Sequence, residues 1–124
     1  MWGAGFVLAI SKKWSQVKPY YQSMTKLPDF RLGKTYFIDV GENLSIANMI
    51  AQGKTVYEGS RRVDYVALET CLVYINEVAE YNKATIHMPY IGTGIGGGNW
   101  EVIEGIINKC VSNIDVYVYE FEQE

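Results

Sequence analysis

An α/β fold, a three-layer α/β/α sandwich around a mixed sheet, is predicted by three observations. Short apolar runs with strand character alternate along the chain with amphipathic helical stretches, the order that produces a sheet covered by helices. "KTYFIDV" and "LSIANMIAQ" are parted only by "GEN" and read as strands joined by a tight turn, whereas "ATIHMPYI" and "IDVYVYEF" have a helical stretch between them, the crossover that parallel strands need. The chain has 124 residues, 48% of them hydrophobic and 20% charged, which suits one domain, residues 1–124, with its own core.

The elements follow in order. From Gly5, "FVLAISKKW" has helix-favouring spacing, and "VKPYYQSMTKL" continues as a second helical piece with Pro19 near its start, where proline is tolerated. The two hairpin strands come next, then a polar loop from Gly53 to Arg62. Val63, Val66, Ala67, Thr70, Cys71, Tyr74, Ile75, Val78 and Ala79 recur at the spacing of one buried helix face, with Ser60 as the expected cap and Asp64 as a first-turn acid. "ATIHMPYI" reads as a largely buried strand, with His87 as a hydrogen-bonded core residue. Val102, Ile103, Ile106, Ile107, Cys110 and Val111 form a further helical stripe, opened by Asn99 as cap with Glu101 and Glu104 in its first turns. "IDVYVYEF" closes the chain as a strand.

Composition narrows the function. The net charge is −3 and the basic residues are scattered apart from Lys12-Lys13 and Arg61-Arg62, so nucleic acid is not an expected partner. No apolar run approaches the ~20 residues that span a bilayer, and the opening "MWGAGFVLAISKKW" carries its charges after its apolar run, the reverse of a signal peptide. A cytoplasmic protein without a membrane partner is expected. Cys71 and Cys110 fall at apolar helical positions and read as reduced, buried thiols, and one His with two separated Cys gives no support for a metal.

The most unusual stretch is "IGTGIGGGNWEVIEGII", with five glycines between Gly92 and Gly98. A strand that ends in glycines and passes into a helix leaves the helix's first N–H groups free to meet an anion and lets a ligand approach the main chain. Gly92, Gly94 and Gly97 also satisfy the spacing of the dinucleotide fingerprint, but no second half of the sheet follows, and no phosphate-binding GxxxxGK[ST] loop occurs. "MWGAGF" runs into a helix in the same manner. Two such junctions at neighbouring strand ends would suit a diphosphate.

"WGAGFVLAISKKW", "IANMIAQ", "RRVDYVALETCL", "IHMPYIGTGIGGGNWEVIEGII" and "IDVYVYEF", in this order, resemble a macro domain of the bacterial and phage "Appr-1-p processing" type over essentially the whole chain. The resemblance implies an ADP-ribose site across the top of the sheet. By position Gly3, Ala4, Gly5 and Phe6 match its first loop, Thr93, Gly94, Ile95, Gly96 and Gly97 its second, and Asn99 and Trp100 the helix entry. Asn48 and Gln52 lie near the end of a strand that borders the distal ribose in related domains.

The implied activity is hydrolysis of ADP-ribose-1''-phosphate, or removal of ADP-ribose from a target, without metal or other cofactor. The alternatives are a non-catalytic ADP-ribose-binding module and a structural or oligomeric fragment that has lost the ligand site. No catalytic residue is assigned: the Lys and Asp used by the human terminal ADP-ribose protein glycohydrolase fall on Gln52 and Gly96, which supply neither nucleophile nor acid. The family's opening strands, with an adenine-reading Asp and a run ending in Asn, would precede Met1, so the reading is of a macro domain lacking its N-terminal strands. A homo-oligomer through an open sheet edge is the expected consequence.

Overall fold

In the computed structural model, which describes residues 16–52, 63–91 and 97–119, helices and strands alternate as α1 (Val17–Met24), β1 (Thr35–Gly41), β2 (Leu44–Met49), α2 (Tyr65–Asn82), β3 (Ile86–Pro89), α3 (Trp100–Cys110) and β4 (Val116–Tyr119). The fold is α/β, with both kinds of strand pairing. β1 and β2 are antiparallel, with Phe37 opposite Ala47 and Ile38 opposite Ile46. Their turn passes through Asn43 at φ 56°, a left-handed conformation that asparagine tolerates. β3 and β4 are parallel, in register from Ile86–Val116 to Pro89–Tyr119, and α3 is the crossover between them. Among the described residues the strands form these two pairs. The helix expected from Gly5 and the loop from Gly53 to Arg62 lie outside the described residues.

Pro19 is the third residue of α1, within the first turn, whose N–H groups have no intrahelical acceptor to lose. α2 begins later than Ser60 could cap; Ser60 itself is outside the described residues. Asp64 is the cap: its backbone is extended and its carboxylate accepts from the Ala67 N–H at 3.0 Å. The first-turn acid expected there is therefore one position earlier and satisfies a helix donor directly. Asp64→Ala is expected to lower stability by about 1 kcal/mol, the usual cost of losing an N-cap, read as a shift in the urea unfolding midpoint.

The buried face of α2 also differs from the expected stripe. Ala67, Leu68, Cys71, Leu72, Ile75 and Ala79 are buried, while Val66 is 75% exposed and Tyr74 48%. α2 carries apolar residues on several faces, so period alone could not choose among them. Burial is decided by what packs alongside: Leu68 and Leu72 share a core with Ala51, Val63, Met88, Ile103 and Ile107. On α3 the expected stripe is nearer the mark, with Ile103 and Ile107 buried and Val102 exposed.

The two thiols fare differently. Cys71 is fully buried between α2 and the segment before β1, with its Sγ 3.5 Å from the Lys34 carbonyl. Cys110 is only half-buried, against the expectation for both. Both are free, and burial pushes both thiols above their ordinary pKa, so each is held as the unreactive protonated form. α2 and α3 are further joined at the surface by Lys109 and Glu69, 2.8 Å apart, a pair of modest worth at such exposure.

Candidate functional site at the entry to α3

β3 delivers the chain to the glycine-rich segment. Its buried Met88 faces the core, with Ile86 and Val116 packed alongside. Past Pro89 the chain turns at once, the Ile91 N–H donating to the Pro89 carbonyl at 2.8 Å, and Ile91 packs against the core. Thr93, Gly94, Ile95 and Gly96 lie outside the described residues, as do Gly3, Ala4, Gly5 and Phe6.

The segment re-enters at Gly97 with φ 66°, a left-handed conformation that glycine reaches without the Cβ penalty. Asn99 then caps α3, as expected, its carboxamide oxygen accepting from the Glu101 N–H at 2.8 Å. The first N–H groups of α3 thus point out of the helix just past the glycines, where an anion would meet the positive end of the helix dipole.

Both ends of the glycine-rich segment are held by aromatic side chains. Tyr90, just past β3, meets Trp100, the first residue of α3, edge to face with ring centroids 4.8 Å apart. Trp100 also packs against the core. Tyr65, the first residue of α2, accepts the Asn99 N–H on its hydroxyl at 2.9 Å. Sequence reasoning did not find Tyr65; it lies 34 positions from Asn99, and no short-range spacing signals such a contact.

Gln52 lies beside the start of α2. It forms an antiparallel bridge with Val63, and the Asp64 N–H donates to the Ala51 carbonyl at 2.6 Å, so the end of the β2 segment is tied to the start of α2 next to Tyr65. Asn48 sits on the hairpin instead, opposite Tyr36, and its amide donates to the Tyr36 carbonyl at 3.4 Å.

His87 is a correction. It is exposed, not part of the core. Its ring stacks with those of Tyr117 and Tyr119, with centroids at 4.9 and 5.7 Å. Its Nδ1 lies 2.8 Å from the Tyr119 hydroxyl and its Nε2 2.8 Å from that of Thr85. In a four-residue strand only alternate residues face the core, and Met88 takes the inward position. Two open clefts lie elsewhere, one of about 230 Å³ between Arg31 and the start of α2, the other of about 420 Å³ between Glu80 and Asp115. Neither is lined by a residue expected at the ligand site. Among the described residues no group of three His, Cys, Asp or Glu side chains converges, and no helix is long and apolar enough to cross a membrane.

No family model matches the chain. Among solved structures, a protein from Bacteroides thetaiotaomicron is 38% identical with a TM-score of 0.90, covering 98% of this chain and 82% of that one. A macrodomain protein from Streptomyces coelicolor is 34% identical with a TM-score of 0.83, covering 98% and 81%. The macrodomain of Mycobacterium tuberculosis DarG, 19% identical with a TM-score of 0.76, shares the fold. Among curated relatives, an uncharacterized 17.5 kDa protein from the tk-vs intergenic region of Enterobacteria phage T4 is 39% identical over 70 residues. The mouse chromodomain-helicase-DNA-binding protein 1-like is 28% identical over 131 positions. The chain spans less than half the length of these curated relatives, 45% of the first and 14% of the second.

Proposed function

The chain belongs to the macrodomain family, and from that premise we propose that it binds ADP-ribose at the carboxyl end of β3, with the diphosphate at the entry to α3. The observation that carries this reading is the passage from β3 into α3: a left-handed Gly97, an Asn99 cap and a helix N-terminus in succession. Such a terminus offers main-chain N–H groups and a positive dipole end to a phosphate, and the glycines leave room for close approach. Thr93, Gly94, Ile95, Gly96, Gly97, Asn99 and Trp100 form one wall in this reading. Gly3, Ala4, Gly5 and Phe6 form the other, with Asn48 and Gln52 toward the distal ribose.

The finer proposal is hydrolysis of ADP-ribose-1''-phosphate or release of ADP-ribose from a target. Main-chain N–H groups that hold the diphosphate would fix the distal ribose with its 1'' bond open to attack by water, the phosphate or the target side chain departing, so positioning alone would supply the rate. Binding without turnover is the second reading. It is favoured by Gln52 and Gly96, which offer no acid or nucleophile, and by His87, whose ring nitrogens both face hydroxyls.

Calorimetry with ADP-ribose is expected to give saturable heat and a rise in melting temperature. No heat and no shift at millimolar ligand would sink the proposal. Incubation with ADP-ribose-1''-phosphate and an assay for released phosphate then separates the two readings.

A further inference from the structure

We infer that Tyr65 is a positioning residue for the ligand site, fixing the entry to α3 after Gly97 through the backbone N–H of Asn99. The inference rests on the ADP-ribose reading above.

The N–H of an N-cap residue lies outside the helix and needs an acceptor of its own. In helices that open with a capping box, the third helical residue is a Glu or Gln whose side chain turns back to that N–H. Here the cap is Asn99 and the third helical residue is Val102, which has no acceptor. The oxygen comes from another helix: Tyr65 of α2 accepts the Asn99 N–H at 2.9 Å.

Tyr65 can act as a fixed post because its surroundings hold it. It directly follows the Asp64 cap, its ring packs against the core, and the preceding Val63 is bridged to Gln52. The bond therefore ties the entry of α3 to the start of α2, and through Val63 to the end of the β2 segment. Tyr90 and Trp100 hold the segment's ends together by ring contact, but a ring contact allows sliding that a directed hydrogen bond forbids. With Tyr65 in place, the N–H groups that would meet the diphosphate are presented at one angle; without its hydroxyl they sample several.

Tyr65→Phe keeps the ring and its packing and removes the hydroxyl that accepts the Asn99 N–H. It is expected to weaken ADP-ribose binding about three- to tenfold, the net worth of one neutral hydrogen bond, with little change in melting temperature because Asn99 is exposed and water takes the freed donor. Val102 is 43% exposed, so Val102→Gln can be added to install the missing capping-box acceptor. The Tyr65→Phe/Val102→Gln pair is expected to regain most of the lost affinity, a recovery that a merely structural role for Tyr65 would not produce. Calorimetry with ADP-ribose on the wild type, Tyr65→Phe and the double variant decides the matter. Absence of binding by the wild type overturns the ADP-ribose reading and this inference together. Wild-type affinity in Tyr65→Phe, or a double variant as weak as the single one, overturns the inference alone.

Discussion

Valine in place of Gly97 is expected to weaken ADP-ribose binding by about tenfold or more, since holding a β-branched residue in the left-handed region costs roughly 1–3 kcal/mol. Gly97 has φ 66° and is exposed, so the substitution removes no core contact and its effect is on backbone path. The chain escapes the strain by moving Gly97 toward negative φ, which swings the segment away from the Asn99 cap two residues later. Asparagine enters the left-handed region more readily, as Asn43, Asn113 and Lys83 show that non-glycine residues in this chain do. Gly97→Asn is therefore expected to bind ADP-ribose more tightly than Gly97→Val. Calorimetry on the three proteins provides the measurement, and equal affinity for Gly97→Val and wild type would show that the left-handed turn is not needed for the ligand.

Leu72→Ala is expected to produce the largest loss of stability, about 2–5 kcal/mol in urea unfolding. Leu72 is fully buried and lies in the cluster that joins α2 to Met88 of β3 and to Ile103 and Ile107 of α3. Truncation leaves a cavity where three elements meet, and neighbours anchored on separate helices and a strand cannot collapse into it freely. Val66→Ala on the same helix is expected to change stability by less than about 0.5 kcal/mol, because Val66 is 75% exposed. The pair of variants tests the rotation of α2: comparable losses at both positions would return the helix to the stripe that its periodicity suggested.

Much of the architecture was legible because it depends on neighbours in sequence. The hairpin of β1 and β2, the strand–helix–strand passage from β3 to β4 and the Asn99 cap each follow from residues within a few positions of one another, where turn chemistry and capping act. The failures are of another kind. Asp64 in place of Ser60 as the cap depends on where α2 starts, which the contacts of Ala51 and Gln52 with the preceding residues determine. The apolar character of its strand points His87 to the core, but the side that is buried depends on which face of β3 the helices cover.

The alternation of elements, the glycine-rich approach to a capped helix and the resemblance that membership of the macrodomain family bears out can all be read from the residues alone, because local spacing and residue chemistry carry them. The rotation of α2, the exposure of His87 and the partnership of Tyr65 with Asn99 come from packing. Each of these depends on which surface of one element is pressed against another, and a helix that is apolar on more than one face, or a donor waiting for an oxygen 34 residues away, does not record that choice in its own neighbourhood.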